Sequence, residues 1–185
     1  HNSLWEVSPS PDAITDLHAL FDLFTVRDAV VFGHARDGNL HFIAQQDFRD
    51  PKSVENYAAF MEALAELVVG KYDGALKAEH GAGRNMAPYV EREWGGDAYA
   101  LMRDIKELFD PYGILNPGVI LSEDAHEHTR NLKRFTAISQ TADRCIECGF
   151  CEPVCPTRPA SLTPRQRIVL LRELAAFANA GGEAP

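Results

Sequence analysis

The sequence predicts an α+β fold, in which helices flank an antiparallel hairpin instead of alternating regularly with strands. Apolar residues recur at helical spacing in several stretches, most clearly over 54–68. Two β-rich runs, 28–33 and 40–44, stand on either side of Asp37-Gly38, a pair typical of a tight hairpin turn. We therefore expect a ferredoxin-like α/β sandwich with an antiparallel sheet, followed by a mostly helical segment.

Helix boundaries follow from capping and helix-breaking residues. A polar cap followed by proline begins a helix, whereas Gly closes one and Pro stops one. The predicted starts are Ser10-Pro11, Asp50-Pro51 and the region of Ala98, and the predicted ends are Gly70 and the residue before Pro111. Residues 75–79 are predicted to form a short strand, and 79–84 a glycine-rich loop.

The character of the chain changes near residue 122, where a polar stretch begins. We predict two domains, 1–122 and 123–185. The second holds one amphipathic helix, which starts at a capping box over 163–166. All four Cys lie within 145–155, too clustered for scattered disulfides, so they indicate a metal or cluster site in a reducing, cytoplasmic compartment.

Composition and chain ends exclude several classes of protein. The net charge of -9 is spread along the chain and argues against nucleic-acid binding, which needs a basic face. No stretch approaches the ~18 apolar residues of a membrane-spanning helix. The chain opens on His1 without a signal peptide and ends in a loop-like tail, 181–185, so we expect a piece of a longer polypeptide.

The cysteine run at 145–156, CIECGFCEPVCP, has the spacing of a bacterial ferredoxin motif for a [4Fe–4S] cluster. Structural zinc sites usually separate two cysteine knuckles by a dozen or more residues, and this run has no such gap. In two-cluster ferredoxins the fourth Cys serves the other cluster. We therefore expect a second run beyond residue 185. The candidate cluster ligands are Cys145, Cys148, Cys151 and Cys155.

A pair of histidines frames the predicted hairpin turn, in the stretch GHARDGNLH at 33–41. If Asp37 and Gly38 are its two central residues, His34 pairs directly with His41. Their Cβ atoms would then lie ~5 Å apart, a suitable distance for binding one metal ion. The alternative is a pair of structural or surface histidines.

A third ligand is expected from EHGAGR at 79–84, where Glu79 offers a carboxylate and two glycines permit close approach. Two His and one carboxylate leave coordination positions open, which is typical of a catalytic ion. The glycines alone would also fit an ordinary loop. A phosphate-binding loop is disfavoured because its sequence pattern is missing.

Three motifs occur in this order: GHARDGNLHF, KAEHGAGR and FDPYGILNPGVIL. Together they resemble the C-terminal domain of FAD-linked oxidases of the vanillyl-alcohol-oxidase type, over roughly residues 10–122. The nearest members in character are D-lactate, D-2-hydroxyglutarate and glycolate dehydrogenases. The cysteine run resembles the larger members, which carry a C-terminal iron–sulfur segment.

This resemblance implies a cap domain with a ferredoxin-like core, which covers an FAD bound by an N-terminal half that this sequence lacks. It also implies a divalent metal, zinc or manganese. The implied metal ligands are His34, His41 and Glu79, the catalytic base is His80, and Asn116, Pro117 and Gly118 lie near the FAD. Asn39, inside the first motif, is expected to support the site.

The implied activity is oxidation of a small 2-hydroxyacid, with hydride transfer to FAD and electron transfer through iron–sulfur clusters. The acceptor would be a quinone, a cytochrome or another carrier, and the location cytoplasmic, either free or peripheral at the inner membrane. The chain alone is expected to be inactive. Two alternatives remain: a non-enzymatic iron–sulfur electron-transfer subunit, and a structural zinc protein that uses the four Cys.

Overall fold

The computed structural model describes residues 2–6, 11–133 and 135–181. The chain divides into two compact units, 1–132 and 133–185. The first contains the sheet, the histidine hairpin and the glycine-rich loop, and the second contains the cysteine run. The predicted cap residue Ser10 lies outside the described residues.

The sheet of the first unit has three antiparallel strands in the described residues: β1 (Asn2–Glu6), β2 (Val30–His34) and β3 (Asn39–Ile43). The strand order is β1-β3-β2, so β3 pairs with both neighbours. Helix α1 (Pro11–Leu23) connects β1 to β2 across the central strand. This split β-α-β arrangement is that of ferredoxin-like folds, and the α+β class is confirmed. Strand β1 was not predicted from the sequence.

The strand predicted at 75–79 is wrong. Ala75 forms only an isolated bridge, and Ala78–His80 form a single 3₁₀ turn that contacts β1. Ala78 has a φ of +45°, which lies outside the extended region and breaks a strand at that point. A turn therefore lies beside β1, where the prediction had a strand.

The core of the first unit lies between the sheet and two helices, α1 and α2 (Pro51–Ala65). Phe42 of β3 contacts Phe21 of α1 at a ring distance of 5.1 Å and Phe60 of α2 at 6.0 Å. Alternate residues of a strand face opposite sides of the sheet. His41, next to Phe42, is therefore directed away from this core.

Leu64 lies in α2 with no exposed surface, so it tests the energy of this core. We expect Leu64→Ala to lower the free energy of unfolding by about 2–5 kcal/mol, because the lost methyl groups leave a cavity. Urea denaturation of the chain, followed by circular dichroism, measures the change. The control is Leu101→Ala at a position that is 60% exposed, where a change within about 0.5 kcal/mol is expected. Equal losses in both variants would contradict this assignment of the core.

The start predicted for α2 is confirmed, and its end is corrected. Asp50 caps the helix by accepting a hydrogen bond from the Lys52 backbone. The helix does not stop at Gly70, because a π-helical turn over Glu66–Lys71 continues it. A Cβ atom at Gly70 would lie 2.4 Å from the Glu66 carboxylate. The glycine therefore gives room to a side chain of the same helix.

Three further helices complete the described structure: α3 (Val90–Trp94), α4 (Gly96–Phe109) and α5 (Pro164–Asn179). Helix α4 ends before Pro111 as predicted, and α3 was not predicted. The capping box of α5 is confirmed, with Thr163 and Gln166 bonded reciprocally. Among the described residues, no helix combines the length and apolar character needed to cross a bilayer.

Candidate metal centre

The hairpin that carries the two histidines has a longer connection than predicted. Residues 35–37 form a 3₁₀ turn, and Gly38 follows in the left-handed conformation with a φ of 77°. His34 pairs with Asn39, and Phe32 pairs with His41, so the predicted pairing of His34 with His41 is wrong. The slip is two residues, which keeps every side chain on its original face. The two imidazoles are diagonal neighbours, with ring centres 5.1 Å apart.

Glu79 meets both histidines from the 3₁₀ turn at Ala78–His80. Its Oε1 lies 3.4 Å from Nε2 of His34 and 3.8 Å from Nε2 of His41. One potential ligand atom from each of the three residues lies within 4.8 Å of the others. Among the described residues, no other three His, Cys, Asp or Glu side chains place their ligand atoms this close together.

His41 gives the strongest reason to expect a cation. Its side chain is almost completely buried, and its Nε2 has no hydrogen-bond partner among the described residues. A buried polar atom left unpaired costs about 1–3 kcal/mol. An imidazole nitrogen facing a carboxylate and a second imidazole is a donor set suited to Zn²⁺. The residues present therefore fit a divalent ion.

A second layer of contacts fixes these side chains. Asn39, which is 1% exposed, donates from Nδ2 to Oε2 of Glu79 and orients the carboxylate. Phe32 stacks on the His41 ring at 5.2 Å. Gly33 lets the strands approach here, because a Cβ atom at that position would lie 2.0 Å from the Asn39 carbonyl oxygen. Such outer contacts usually hold a metal ligand in one orientation.

His80 lies beside the three candidate ligands and is about half exposed. Its Nε2 is 3.6 Å from Oε1 of Glu79, and its ring centre is 5.9 Å from that of His41. Neighbours on a regular strand would point to opposite faces. Because the backbone turns at Ala78, Glu79 and His80 both reach the same point. An exposed imidazole at this position can contact a bound molecule.

Glu127 joins the glycine-rich loop to the segment containing Gly118. Its buried carboxylate accepts a hydrogen bond of 2.8 Å from Nε of Arg84. A Cβ atom at Gly118 would lie 2.7 Å from this carboxylate, so glycine is needed there. The backbone of Ile120 also donates to the Gly83 carbonyl oxygen at 2.9 Å. Glu127 was not predicted from the sequence, and the one signal that could have led to it is Arg84 in the EHGAGR motif, which fits a carboxylate partner and a surface role equally.

Removal of the Glu127 carboxylate is expected to loosen this junction. We expect Glu127→Ala to lower the free energy of unfolding by about 1–3 kcal/mol. The loss is smaller than for a fully buried ion pair, because water can hydrate the half-exposed Arg84 that remains. The matched control is Glu123→Ala, whose side chain is 84% exposed in its pair with Arg103. Urea denaturation of both variants measures the difference. A loss of equal size in the control would refute the role of Glu127.

The loop that precedes Asn116, Pro117 and Gly118 is held by the Asp110 carboxylate, which was not predicted from the sequence. Asp110 accepts hydrogen bonds from the backbones of Ile114 and Leu115 at 2.9 and 2.8 Å. A further hydrogen bond from the Lys106 side chain lowers the pKa of Asp110. The loop before Asn116 is therefore anchored to the end of α4.

A groove of about 680 Å³ lies between the glycine-rich loop, α4 and the Asn116 segment. Its walls are mostly apolar and include Trp94 and Phe109, both more than half exposed. Lys77 also lines the groove, and burial lowers its pKa. A groove with this composition suits a largely apolar molecule that carries a few polar groups.

In the second unit, the four cysteines are free thiols, and Cys148 is the most exposed of them. A hydrogen bond with the Thr157 side chain lowers the pKa of Cys155 and favours its thiolate. Four thiols at this sequence spacing are the donor set of a bacterial-type iron–sulfur motif.

Two parts of the chain match known protein families. Residues 6–120 match the family described as FAD linked oxidases, C-terminal domain. Residues 140–159 match the 4Fe-4S binding domain.

Three curated relatives are similar in sequence. The chain is 34% identical to glycolate oxidase subunit GlcD of Bacillus subtilis over 66% of its own length and 25% of that protein. It is 36% identical to D-lactate dehydrogenase of Anaerostipes hadrus over 48% of its length and 19% of that protein. It is 30% identical to D-2-hydroxyglutarate dehydrogenase of Escherichia coli over 88% of its length and 18% of that protein.

The chain thus spans a quarter or less of the length of these relatives. The family match covers more than half of the chain and contains the histidine hairpin, the glycine-rich loop and Asn116. The chain belongs to the FAD-linked oxidases: it contains their C-terminal domain, and a 4Fe-4S binding motif follows that domain in the same chain.

Proposed function

We propose that this chain is the substrate- and metal-binding part of a flavin-dependent D-2-hydroxyacid dehydrogenase. The observation that carries the proposal is the buried, unpaired Nε2 of His41 beside His34 and Glu79. Relatives named for glycolate, D-lactate and D-2-hydroxyglutarate support a 2-hydroxyacid substrate. All three molecules place a carboxylate next to a hydroxyl group, which together can bind one metal ion through two oxygen atoms.

His34, His41 and Glu79 would hold the ion, either zinc or manganese. Such an ion acts as a Lewis acid that lowers the pKa of a hydroxyl group bound to it. Asn39 keeps the Glu79 carboxylate in a fixed orientation. This restricts the carboxylate to metal binding and leaves proton transfer to a different residue.

His80 is proposed as the general base, with Nε2 receiving the proton of the substrate hydroxyl. Its exposed position beside Glu79 allows a substrate to reach it. A general base must lie within hydrogen-bonding distance of the proton that it removes. The neighbouring residue Glu79 belongs to the same turn, so metal ligand and base keep a constant separation.

The chemistry that a bound FAD would supply is acceptance of a hydride from the substrate carbon and one-electron transfer to the iron–sulfur segment. The apolar groove and Asn116-Pro117-Gly118 are proposed to face the FAD and to exclude water from the reacting atoms. We propose that the FAD-binding half lies outside this sequence, so that the chain alone does not oxidise 2-hydroxyacids. The final acceptor would be a quinone, a cytochrome or another carrier.

The experiment is an assay of the purified holoenzyme with a redox dye. Glycolate, D-lactate and D-2-hydroxyglutarate are compared with L-lactate, before and after metal removal with a chelator. We expect oxidation of at least one of the first three, loss of activity on chelation, and recovery with zinc or manganese. Activity that persists without metal, or no oxidation of any of these acids, would overturn the proposal. A simple iron–sulfur carrier predicts no role for the histidine pair.

A further inference from the structure

The buried residue of α5 is an arginine. Arg172 is 4% exposed, whereas Leu171 and Leu174 beside it are about half exposed. Burial of a guanidinium group is costly unless its charge is paired and its donors are matched; among the described residues, both terminal nitrogens of Arg172 have partners and its Nε has none. The contacts of Arg172 therefore indicate what the helix is fixed to.

Arg172 binds the first part of the cysteine run. One terminal nitrogen donates to the carbonyl oxygen of Cys145 at 2.9 Å and to that of Ala142 at 3.3 Å. The other donates to Oε1 of Glu147 at 2.9 Å. Lys133 donates to the second oxygen of the same carboxylate. The guanidinium thus connects the backbone and a side chain of one short turn.

Glu147 lies between Cys145 and Cys148, in the first two-residue gap of the motif. Its side chain is 9% exposed, and its φ is +62°. A residue with a Cβ atom pays a steric cost in this left-handed conformation, which glycine avoids. The next gap has Gly149 at a φ of +82°. A glutamate at a position that favours glycine, with its carboxylate buried against Arg172, points to a role for that carboxylate.

We propose that Arg172 and Glu147 are positioning residues that hold the Cys145–Cys148 turn ready for the iron–sulfur cluster and set the charge beside it. The pair would fix the first two ligands before iron binds. A nearby positive charge favours the reduced cluster, and a nearby negative charge favours the oxidised cluster. The proposal does not depend on the 2-hydroxyacid, so it stands or falls separately from the proposed activity.

The test compares Arg172→Met and Glu147→Gln in the holoenzyme. In the iron-free chain, amide exchange over 142–148 should become roughly tenfold faster or more in Arg172→Met, with α1 unchanged. After reconstitution with Fe²⁺ and sulfide, iron per chain should fall in Arg172→Met. The reduction potential, followed by electron paramagnetic resonance, should fall in Arg172→Met and rise in Glu147→Gln.

Two further variants separate positioning from general stability. Arg172→Lys keeps the charge but loses the forked hydrogen bonds, so it should restore the potential without restoring slow exchange. Glu173→Gln, at the exposed neighbouring position, makes the same charge change as Glu147→Gln and should leave both measurements unaltered. Unchanged exchange and iron content in Arg172→Met, or potentials that shift in the same direction in Arg172→Met and Glu147→Gln, would overturn the proposal.

Discussion

Replacement of His41 by alanine is expected to remove the metal ion from the holoenzyme and to reduce turnover to background. His41 is the most buried of the three candidate ligands, so no alternative side chain or water can easily take its place. Loss of an outer contact alone typically lowers metal affinity or activity 10–100-fold, and loss of a ligand should exceed that range. Metal content by mass spectrometry and turnover with dye reduction measure the two effects.

The matched control for His41→Ala is His18→Ala, which removes an exposed imidazole from α1, far from the three ligands in sequence. The control should keep its metal and its activity. Flavin absorbance should be unchanged in both variants, because His41 lies on the metal side of the proposed site. A His41→Ala enzyme with one ion per chain would show that His34 and Glu79 do not need this ligand.

Replacement of His80 by alanine is expected to slow flavin reduction by ~10²–10⁴ while the metal ion stays bound, as for loss of a general base. His80 lies next to Glu79 and is about half exposed, so a substrate can reach its Nε2. Rapid mixing of enzyme with substrate, in the absence of an acceptor, isolates this step from later electron transfer. A variant with normal binding of substrate and a slow reduction step would fit the proposal.

Two results would contradict the role of His80. Loss of metal in His80→Ala would make it a ligand, and a normal rate of flavin reduction would exclude it as the base. His126→Ala provides the control, since this histidine is also exposed and belongs to the same unit. It should leave both metal content and reduction rate unchanged.

The features that local sequence determines were predicted well. Asp50 and Thr163 cap their helices through bonds to residues two or three positions away, so the signal and its effect lie in one short segment. The α+β class also follows from local periods of apolar residues. The order of the three family motifs indicated the domain without any knowledge of its packing.

The hairpin register could not be predicted from the turn alone. Gly38 adopts a left-handed conformation, which suits a two-residue connection and the observed four-residue connection equally. The pairing of β1 with β3 joins segments far apart in sequence, and no local pattern marks it. His34 and His41 still lie close together despite the wrong register, because a shift of two residues leaves both side chains on the same face of the sheet.

Contacts between distant motifs were also invisible in the sequence. Glu127 stands in a polar stretch that resembles an ordinary surface loop, yet its side chain is buried against Arg84. Gly70 has the appearance of a helix end, although it accommodates the carboxylate of Glu66. In both cases the role of the residue depends on an atom that only the folded chain brings near.

The two faces of strand β3 have different roles. Phe42 on one face packs in the hydrophobic core, and the adjacent His41 on the other face is a candidate metal ligand. Unfolding of the core therefore destroys the ligand set, and an ion bound only by the folded chain would stabilise the whole unit. At a free concentration 100 times its dissociation constant, such an ion would add about 2.7 kcal/mol to the free energy of unfolding. The melting temperature would then rise with the concentration of the metal, and a shortage of metal would increase the fraction of unfolded chain that proteases can attack.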